Sequence, residues 1–380
     1  MHLGLDLLFL LPGETGGRET YARELLGALR EVRPDLTVTT FLNRESRGPG
    51  WWHDRADHAV VLSRVSARFA PAWAAGEVAL LPRAAARARV DVLHAPANFA
   101  PLGGPFARVV TLHDLIFRRL PDSVSTVRRW GTEAVVPAAA RRAHRVITGS
   151  AAARDDLVAE LSIPAECIEV IPHGVTLIAG GQPDALAARR RLRANPDRPI
   201  ALSVAGAVAH KNLDGLLSGL AAMPASDRPL LVLAGAGTDG PALVDYVQRR
   251  GIQGDVRLLG AIDSAELEDL YAAAAMLVTA TRYEGFGLPV LEAMARDTPV
   301  ACSDLPVLRE VAGDAALYLD PADPMSIAAA VLRLASGGAE AERLRLAGRA
   351  RVAAFSWRAA ARATAEAYQR AMLTRRTVAA

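Results

Sequence analysis

Six short apolar runs divide the second half of this 380-residue chain: Pro199–Val204, Pro229–Ala234, Asp255–Leu259, Met276–Ala280, Pro299–Ser303 and Ala315–Leu319. Each leads through a loop into a helical stretch. Strands that alternate with helices need crossover connections, and they assemble as a parallel sheet with helices on both faces. The first half alternates in the same way. Strands are expected over Met1–Leu11, Leu36–Leu42, Val90–His94, Arg108–Ile116, Val146–Ser150 and Ile168–Pro172, with helices over Tyr21–Glu31 and Ala152–Leu161. Two α/β domains follow, both Rossmann-like, with a cleft between them. The expected boundaries are residues 1–178 for the first domain, 179–198 for a linker and 199–356 for the second. The linker carries Gly180, Gly181, Pro183, Arg189–Arg191 and Pro196. A closing helix, Trp357–Thr374, occupies the last segment, residues 357–380.

Composition narrows the function classes. Half of the residues are hydrophobic (51%), 22% are charged and the formal net charge is +3, which is ordinary for a soluble globular protein. No long basic run or aromatic RNA-binding pattern is present, so nucleic acid is not an expected partner. Cys167 and Cys302 are far apart and fit no zinc spacing, which suits a reducing cytoplasm. The apolar start, Met1–Leu11, has no basic residue at its head and contains Asp6, so it reads as a strand and not as a signal peptide. No apolar run is long enough to cross a bilayer.

The most informative loop joins the run Met276–Ala280 to a helix opened by Pro289. Its residues, Thr281-Arg-Tyr-Glu-Gly-Phe-Gly-Leu-Pro-Val-Leu-Glu292, place Gly285 and Gly287 in a strand-to-helix turn. Such a turn presents backbone N–H groups to an anion. Glu284 and Glu292 bracket it, and a carboxylate beside a phosphate needs donors of its own. Sugar hydroxyls are such donors, so a sugar nucleotide fits: N–H groups on the diphosphate, one glutamate on ribose and the other on a hexose. The alternative is an ordinary turn with a surface glutamate and a helix-start glutamate.

A second anion contact is expected at Lys211. Of the 44 lysines and arginines it is the sole lysine. It stands where the strand Ile200–Val204 passes through a small-residue loop into a helix starting near Asn212. Arginine and lysine are not interchangeable at tight sites. In the first half, Gly16 and Gly17 precede a helix, either as another anion-binding start or as a flexible loop. His113 and Asp114 fall at the C-terminal end of a buried strand, where α/β proteins gather ligands; a structural histidine is the alternative. Trp51 and Trp52 are expected to tuck under their own loop, in preference to meeting an acceptor or membrane. Phe69, Trp73, Val78 and Leu81, in helical segments broken at Pro82, are expected in the core. The arginine pairs 118/119, 128/129 and 141/142 read as a solvated face, with a phosphate-bearing acceptor or an anionic lipid surface as the alternative.

Glu284-Gly-Phe-Gly-Leu-Pro-Val-Leu-Glu292 resembles the Glu-x7-Glu signature of retaining family-4 (group 1) glycosyltransferases, whose fold is GT-B. Ser203–Leu216 resembles that family's donor-phosphate loop, and the likeness runs from the Gly16–Gly17 loop to about Pro321. The resemblance implies a hexosyltransferase, of mannosyl- or rhamnosyl-type by its Lys-Asn pair, that uses a nucleoside-diphosphate sugar and a hydroxyl acceptor without a metal or other cofactor. It implies Lys211 and the turn at Gly285 on the diphosphate and Glu292 on ribose. Glu284, Phe286, Gly287 and Leu288 would hold the sugar, Ile262 would lie against the base, and His113 and the Gly16–Gly17 loop would come from the first domain. It also implies that the closing helix packs back on that domain. Cytoplasmic placement, with peripheral contact at the inner face of a membrane as an option, is the corresponding localisation. A sugar-nucleotide epimerase or phosphorylase on the same fold, or a non-catalytic sugar-nucleotide sensor, are the rival classes. A phosphorylase usually carries pyridoxal phosphate on a lysine, and the sole lysine is already assigned.

The chain departs from the family at the phosphate loop. Many members carry arginine five residues before the lysine, where Gly206 stands, and others carry it directly before, where His210 stands. If His210 supplies part of that charge, donor affinity falls as pH rises from about 6 to 8. Donor titrations across that range check this: wild type should lose affinity with rising pH, and His210→Gln should give a flat profile.

Overall fold

The computed structural model describes residues 1–53, 58–121, 126–176 and 183–379. They divide into two compact units, Met1–Gly174 with Ser356–Ala380, and Val175–Phe355. Gly180 and Gly181 of the expected linker lie outside the described residues. The helix just after them, Ala185–Leu192, is part of the second unit.

The first unit is built on seven strands: β1 (His2–Leu7), β2 (Thr37–Leu42), β3 (His58–Val61), β4 (Val92–Ala95), β5 (Ala107–Thr111), β6 (Arg145–Thr148) and β7 (Ile168–Val170). They pair in parallel in the order β3-β2-β1-β4-β5-β6-β7. The order reverses between β1 and β4, which opens a crevice for ligands beyond their C-terminal ends. Strand β3 was not expected. It is a short edge strand, mostly exposed, and lacks the apolar run that marks the central strands.

Its helices are α1 (Gly17–Val32), α2 (Ala70–Ala75), α3 (Leu81–Ala88), α4 (Ile116–Arg119), α5 (Thr126–Arg142) and α6 (Ala151–Leu161). Helix α1 begins at Gly17, so that glycine belongs to the first helical turn instead of preceding the helix. The expected break at Pro82 is displaced. A wide π turn over Gly76–Leu80 joins α2 to α3, and Pro82 sits in the first turn of α3, where a missing N–H costs no helical bond. The π turn changes which side chains face inward. Trp73 and Leu81 are buried, while Phe69 and Val78 are 60% and 43% exposed, contrary to expectation. Trp52 is buried against Gly50 of its own loop, as expected, while the half-buried Trp51 donates its indole N–H to Glu19 Oε1 of α1 at 3.3 Å. The arginines 118, 119 and 141 are held by Glu133, Asp156 and the Leu161 carbonyl respectively; the side chains of 128 and 129 lie outside the described residues.

The last helix of the chain completes this unit. It spans Trp357–Ala379 and lies against α1, β5 and β6. Its small residues Ala361, Ala367 and Ala371 are fully buried, which lets the backbones approach closely. The Tyr368 hydroxyl bonds to His94 Nδ1 at 2.8 Å, and His94 Nε2 bonds to the Thr111 hydroxyl at 2.8 Å. Arg370 grips Glu169 at 2.7 Å.

The second unit has helix α7 (Ala185–Leu192) and six strands: β8 (Ile200–Val204), β9 (Leu230–Ala234), β10 (Val256–Leu258), β11 (Met276–Thr279), β12 (Val300–Ser303) and β13 (Ala316–Leu319). All six expected runs are strands. Their parallel order is β10-β9-β8-β11-β12-β13, with the reversal between β8 and β11. Around them pack α8 (Leu213–Ala222), α9 (Pro241–Arg249), α10 (Ser264–Ala273), α11 (Leu288–Met294), α12 (Pro306–Ala312), α13 (Pro324–Ala335) and α14 (Gly338–Val352); the helix Trp357–Ala379 is then α15. The core of this unit joins Leu216, Leu217 and Leu220 of α8 to Leu231 and Leu233 of β9 and to Ile327 and Val331 of α13. Among the described residues no helix is long and apolar enough to cross a membrane.

One buried pair has a pH consequence. Asp6 of β1 and Glu77 of the π turn are 2% and 1% exposed and lie close enough for each to shift the other's titration. Glu77 Oε1 accepts from the Trp73 indole at 2.8 Å. Burial raises both carboxyls, Asp6 to about 6. The folded chain therefore holds protons that the unfolded chain, titrating near 4, releases, so the pair's contribution to stability is lost as pH rises through about 6. Glu77→Gln keeps the Trp73 bond and removes one ionisation. The difference in melting temperature, variant minus wild type, should grow from pH 5 to pH 8; thermal denaturation at four pH values checks it.

Candidate functional site

The residues expected to hold a donor converge at the reversal point of the second sheet. Strand β8 runs into the loop Ala205–Val208, a single 3-10 turn over Ala209–Lys211, and α8. Strand β11 runs into Ala280–Gly287 and α11. Two loops that leave neighbouring parallel strands at their C-terminal ends begin side by side, and here they are stitched together. The His210 carbonyl accepts from the Arg282 N–H at 2.8 Å and from the Thr281 hydroxyl at 2.9 Å. Asn212 takes a left-handed conformation (φ 53°) at the α8 N-cap and is fully buried. Its amide donates to the carbonyls of Ala280 at 2.9 Å and Pro321 at 2.8 Å. Sequence reasoning read Asn212 as a helix start and as part of a Lys-Asn pair; the left-handed turn that aims its amide across the sheet end has no signal in spacing.

The stitching brings Lys211 Nζ to 2.6 Å from Glu284 Oε2, with both side chains 19% exposed. The sequence suggested separate ligands for the two groups; the fold makes them an ion pair. An ammonium has three N–H donors, so Lys211 can hold Glu284 and still donate to an anion. Gly287 needs to be glycine: φ is 98°, and a Cβ would come within 2.6 Å of Leu308 Cδ2. The Phe286 ring is 5% exposed and packs edge-on to Phe355 at 6.0 Å, so its side chain belongs to the core and only its backbone can serve a ligand. Gly285 is buried, and Leu288 and Ile262 are half-buried. Gly206 stands in open space, where a Cβ would meet only the Ala236 carbonyl at 3.5 Å. Glu292, on α11, accepts from the Tyr271 hydroxyl of α10 at 3.0 Å.

In the first unit a separate cluster sits at the ends of β4 and β5. The His113 backbone N–H donates to Asn98 Oδ1 at 2.8 Å, and its Nε2 lies 2.7 Å from the Pro96 carbonyl. A carbonyl only accepts, so Nε2 carries the proton. Burial is the main cause that lowers the basicity of the ring, and a neutral ring presents Nδ1 as an acceptor. Tyr21 packs edge-on to His113 at 4.8 Å, and His173 lies 5.5 Å away and stacks on Trp357 at 5.9 Å. Tyr21, Asn98, His173 and Trp357 escaped the sequence reading because they come from four distant segments. Gly16, with φ 67°, turns the loop into α1, and the Glu19 carboxylate accepts from the Gly13 N–H at 2.9 Å, closing the loop.

Comparison with known proteins bears on this arrangement. Residues 15–178 match the family model described as Glycosyltransferase Family 4, and residues 184–351 match that described as Glycosyl transferases group 1. The O-antigen chain mannosyltransferase B of Escherichia coli is 38% identical over 162 residues, 42% of each chain. An MMP alpha-(1->4)-mannosyltransferase of Mycolicibacterium hassiacum is 29% identical over 72% of this chain and 67% of its own length. This chain thus spans less than half of the first relative and about two thirds of the second. Among solved structures, sucrose-phosphate synthase from Thermosynechococcus elongatus shares the fold, with a TM-score of 0.77 and 22% identity over 97% of this chain and 98% of that chain.

Two substitutions test the geometry apart from any activity. Asn212→Ala removes the donor to the buried Ala280 carbonyl and the part-buried Pro321 carbonyl and keeps the left-handed strain, and should lower stability by about 2–3 kcal/mol. Gly206→Arg enters open space and should change it by less than about 0.5 kcal/mol. Urea denaturation of both variants checks the contrast.

Proposed function

We propose, since the chain belongs to the group 1 glycosyltransferases, that it is a retaining hexosyltransferase that moves a sugar from a nucleoside diphosphate to a hydroxyl acceptor. The observation that carries this reading is the Lys211–Glu284 pair at the reversal point of the second sheet. One cation and one carboxylate, 2.6 Å apart, match the two chemistries that meet at the scissile bond of such a donor. The diphosphate is anionic and the hexose is a cluster of hydroxyl donors.

In this reading Lys211 and the backbone N–H groups of Gly285, Phe286 and Gly287 receive the diphosphate. Glu284, with the backbone at Gly287 and Leu288, orients the hexose. Glu292 accepts from ribose hydroxyls and Ile262 lies on the base. His113 is assigned to the transferred sugar, its neutral Nδ1 accepting from a hydroxyl, and the Gly16–Gly17 loop to the phosphate and acceptor. The bond from C1 to the diphosphate oxygen breaks, and the bonding pair leaves with the diphosphate. Negative charge grows there as it departs, and fixed N–H donors and an ammonium stabilise it without needing to reorganise. The acceptor oxygen bonds to C1 on the face the diphosphate leaves, and the acceptor's proton passes to the departing diphosphate oxygen. No metal has a part in this scheme. Mannose is the hexose to try first, because both relatives are mannosyltransferases by name.

A thermal-shift screen of nucleoside diphosphates and their mannose and glucose forms, with and without magnesium, tests the donor assignment. One diphosphate family should raise the melting temperature whether or not magnesium is present, by mass action on the native state. Lys211→Ala and Glu284→Ala should each retain a native melting profile and lose at least about 100-fold in turnover. Near-wild-type turnover in either variant overturns the assignment.

A further inference from the structure

Glu292 does not stand alone on its helix. Glu268 and Tyr271, three residues apart on one face of α10, meet Glu292 of α11 and Arg296 in the turn just beyond that helix. Arg296 Nε donates to Glu268 Oε2 at 2.7 Å, and the guanidinium lies over the Tyr271 ring, 5.0 Å from its centre. The same guanidinium donates to the Glu292 carbonyl at 2.8 Å and to the Thr176 carbonyl at 3.1 Å. The Arg296 and Glu268 side chains are 11% and 14% exposed, so the pair is only weakly screened by solvent.

Tyr271 is 1% exposed. A phenylalanine would fill that volume without the cost of burying a hydroxyl. The hydroxyl that is present donates to Glu292 Oε2 at 3.0 Å, and the ring that carries it cannot shift while Arg296 covers its face. A carboxylate can accept about four hydrogen bonds, so the bond from Tyr271 orients the group without saturating it. The net charge of Glu268, Arg296 and Glu292 together is negative, which suits hydroxyl donors and not a phosphate.

From this geometry we infer that Tyr271 is a positioning residue: held by the Arg296–Glu268 pair, its hydroxyl fixes the carboxylate of Glu292 against the donor's ribose and so sets the preference for ribo- over deoxyribonucleotides. This rests on the assignment of Glu292 to ribose made above. A buried tyrosine with a merely structural role affects stability, and it has no effect on how the protein ranks two ligands that differ by one hydroxyl.

The test is calorimetric titration of the full chain with GDP and UDP and with their 2′-deoxy and 3′-deoxy forms, for wild type, Tyr271→Phe and Glu268→Gln. Thermal unfolding confirms that each variant is folded. Wild type should bind the ribonucleotide about tenfold more tightly than one deoxy form, the 1.4 kcal/mol of one well-aimed hydrogen bond. Tyr271→Phe should weaken ribonucleotide binding and shrink that ratio below about threefold, with Glu268→Gln moving it in the same direction. If wild type discriminates and both folded variants keep the full ratio, Tyr271 does not position Glu292 and the inference is overturned while the ribose assignment stands. If wild type binds a diphosphate but ranks ribo and deoxy forms equally, the ribose assignment fails and the inference falls with it. Binding of neither GDP nor UDP overturns both. Should Tyr271→Phe fail to fold, the Glu268→Gln ratio decides.

Discussion

The donor loops of the second unit depend on one side-chain amide. Asn212 reaches from the start of α8 to the carbonyls that end β11 and follow β13. Nothing in a parallel sheet obliges the loops beyond adjacent strands to keep a fixed distance, because the ladder of backbone bonds stops at the strand ends. Asn212 extends that constraint past the sheet, and the His210 carbonyl, accepting from Thr281 and Arg282, doubles it. The approach of Lys211 to Glu284 follows from these ties. The ion pair could not hold the loops by itself, since a partly exposed pair contributes little net stability. It is better regarded as the product of the stitching than as its cause.

The same logic appears in the first unit with different chemistry. There the constraint is a chain of buried hydroxyl and imidazole groups, Tyr368 to His94 to Thr111 to Tyr21. Burial pushes the His94 ring down to about 3, so it stays neutral and can pass one bond in each direction. Tyr21 then presents its ring edge to His113. The group expected to serve a sugar is thus backed by a chain of four buried residues.

The strands of both sheets were legible in the sequence wherever a run was buried on both faces, as in β8, β9 and β11. Where a strand lies at an exposed edge, as β3 does, the pattern fades and reading failed. Glu284, Glu292 and Lys211 were legible because glycine, proline and a solitary lysine mark backbone and charge requirements locally. Tyr271, Asn98 and Asn212 were not, because their partners lie across the sheet and no spacing records the fold's crossing geometry. Phe69 and Val78 show the opposite failure. Phe69 stands at the N-cap of α2 and Val78 within the π turn, so neither lies on the face of a regular helix. The pairing of Lys211 with Glu284 was hidden for the same reason as Asn212, since the two groups are 73 residues apart.

The composition of the first unit has a consequence for how the chain is made. Its sheet is finished by residue 170, yet the buried hydroxyl that satisfies His94 arrives on Tyr368, 274 residues beyond that histidine. Contacts so distant in sequence form slowly, because the loop must close before they reward it. During synthesis the second unit, continuous from Val175 to Phe355, has all its residues before the first unit does. The part that emerges first is completed last, so the nascent chain carries an open face on α1, β5 and β6 until its final helix is released.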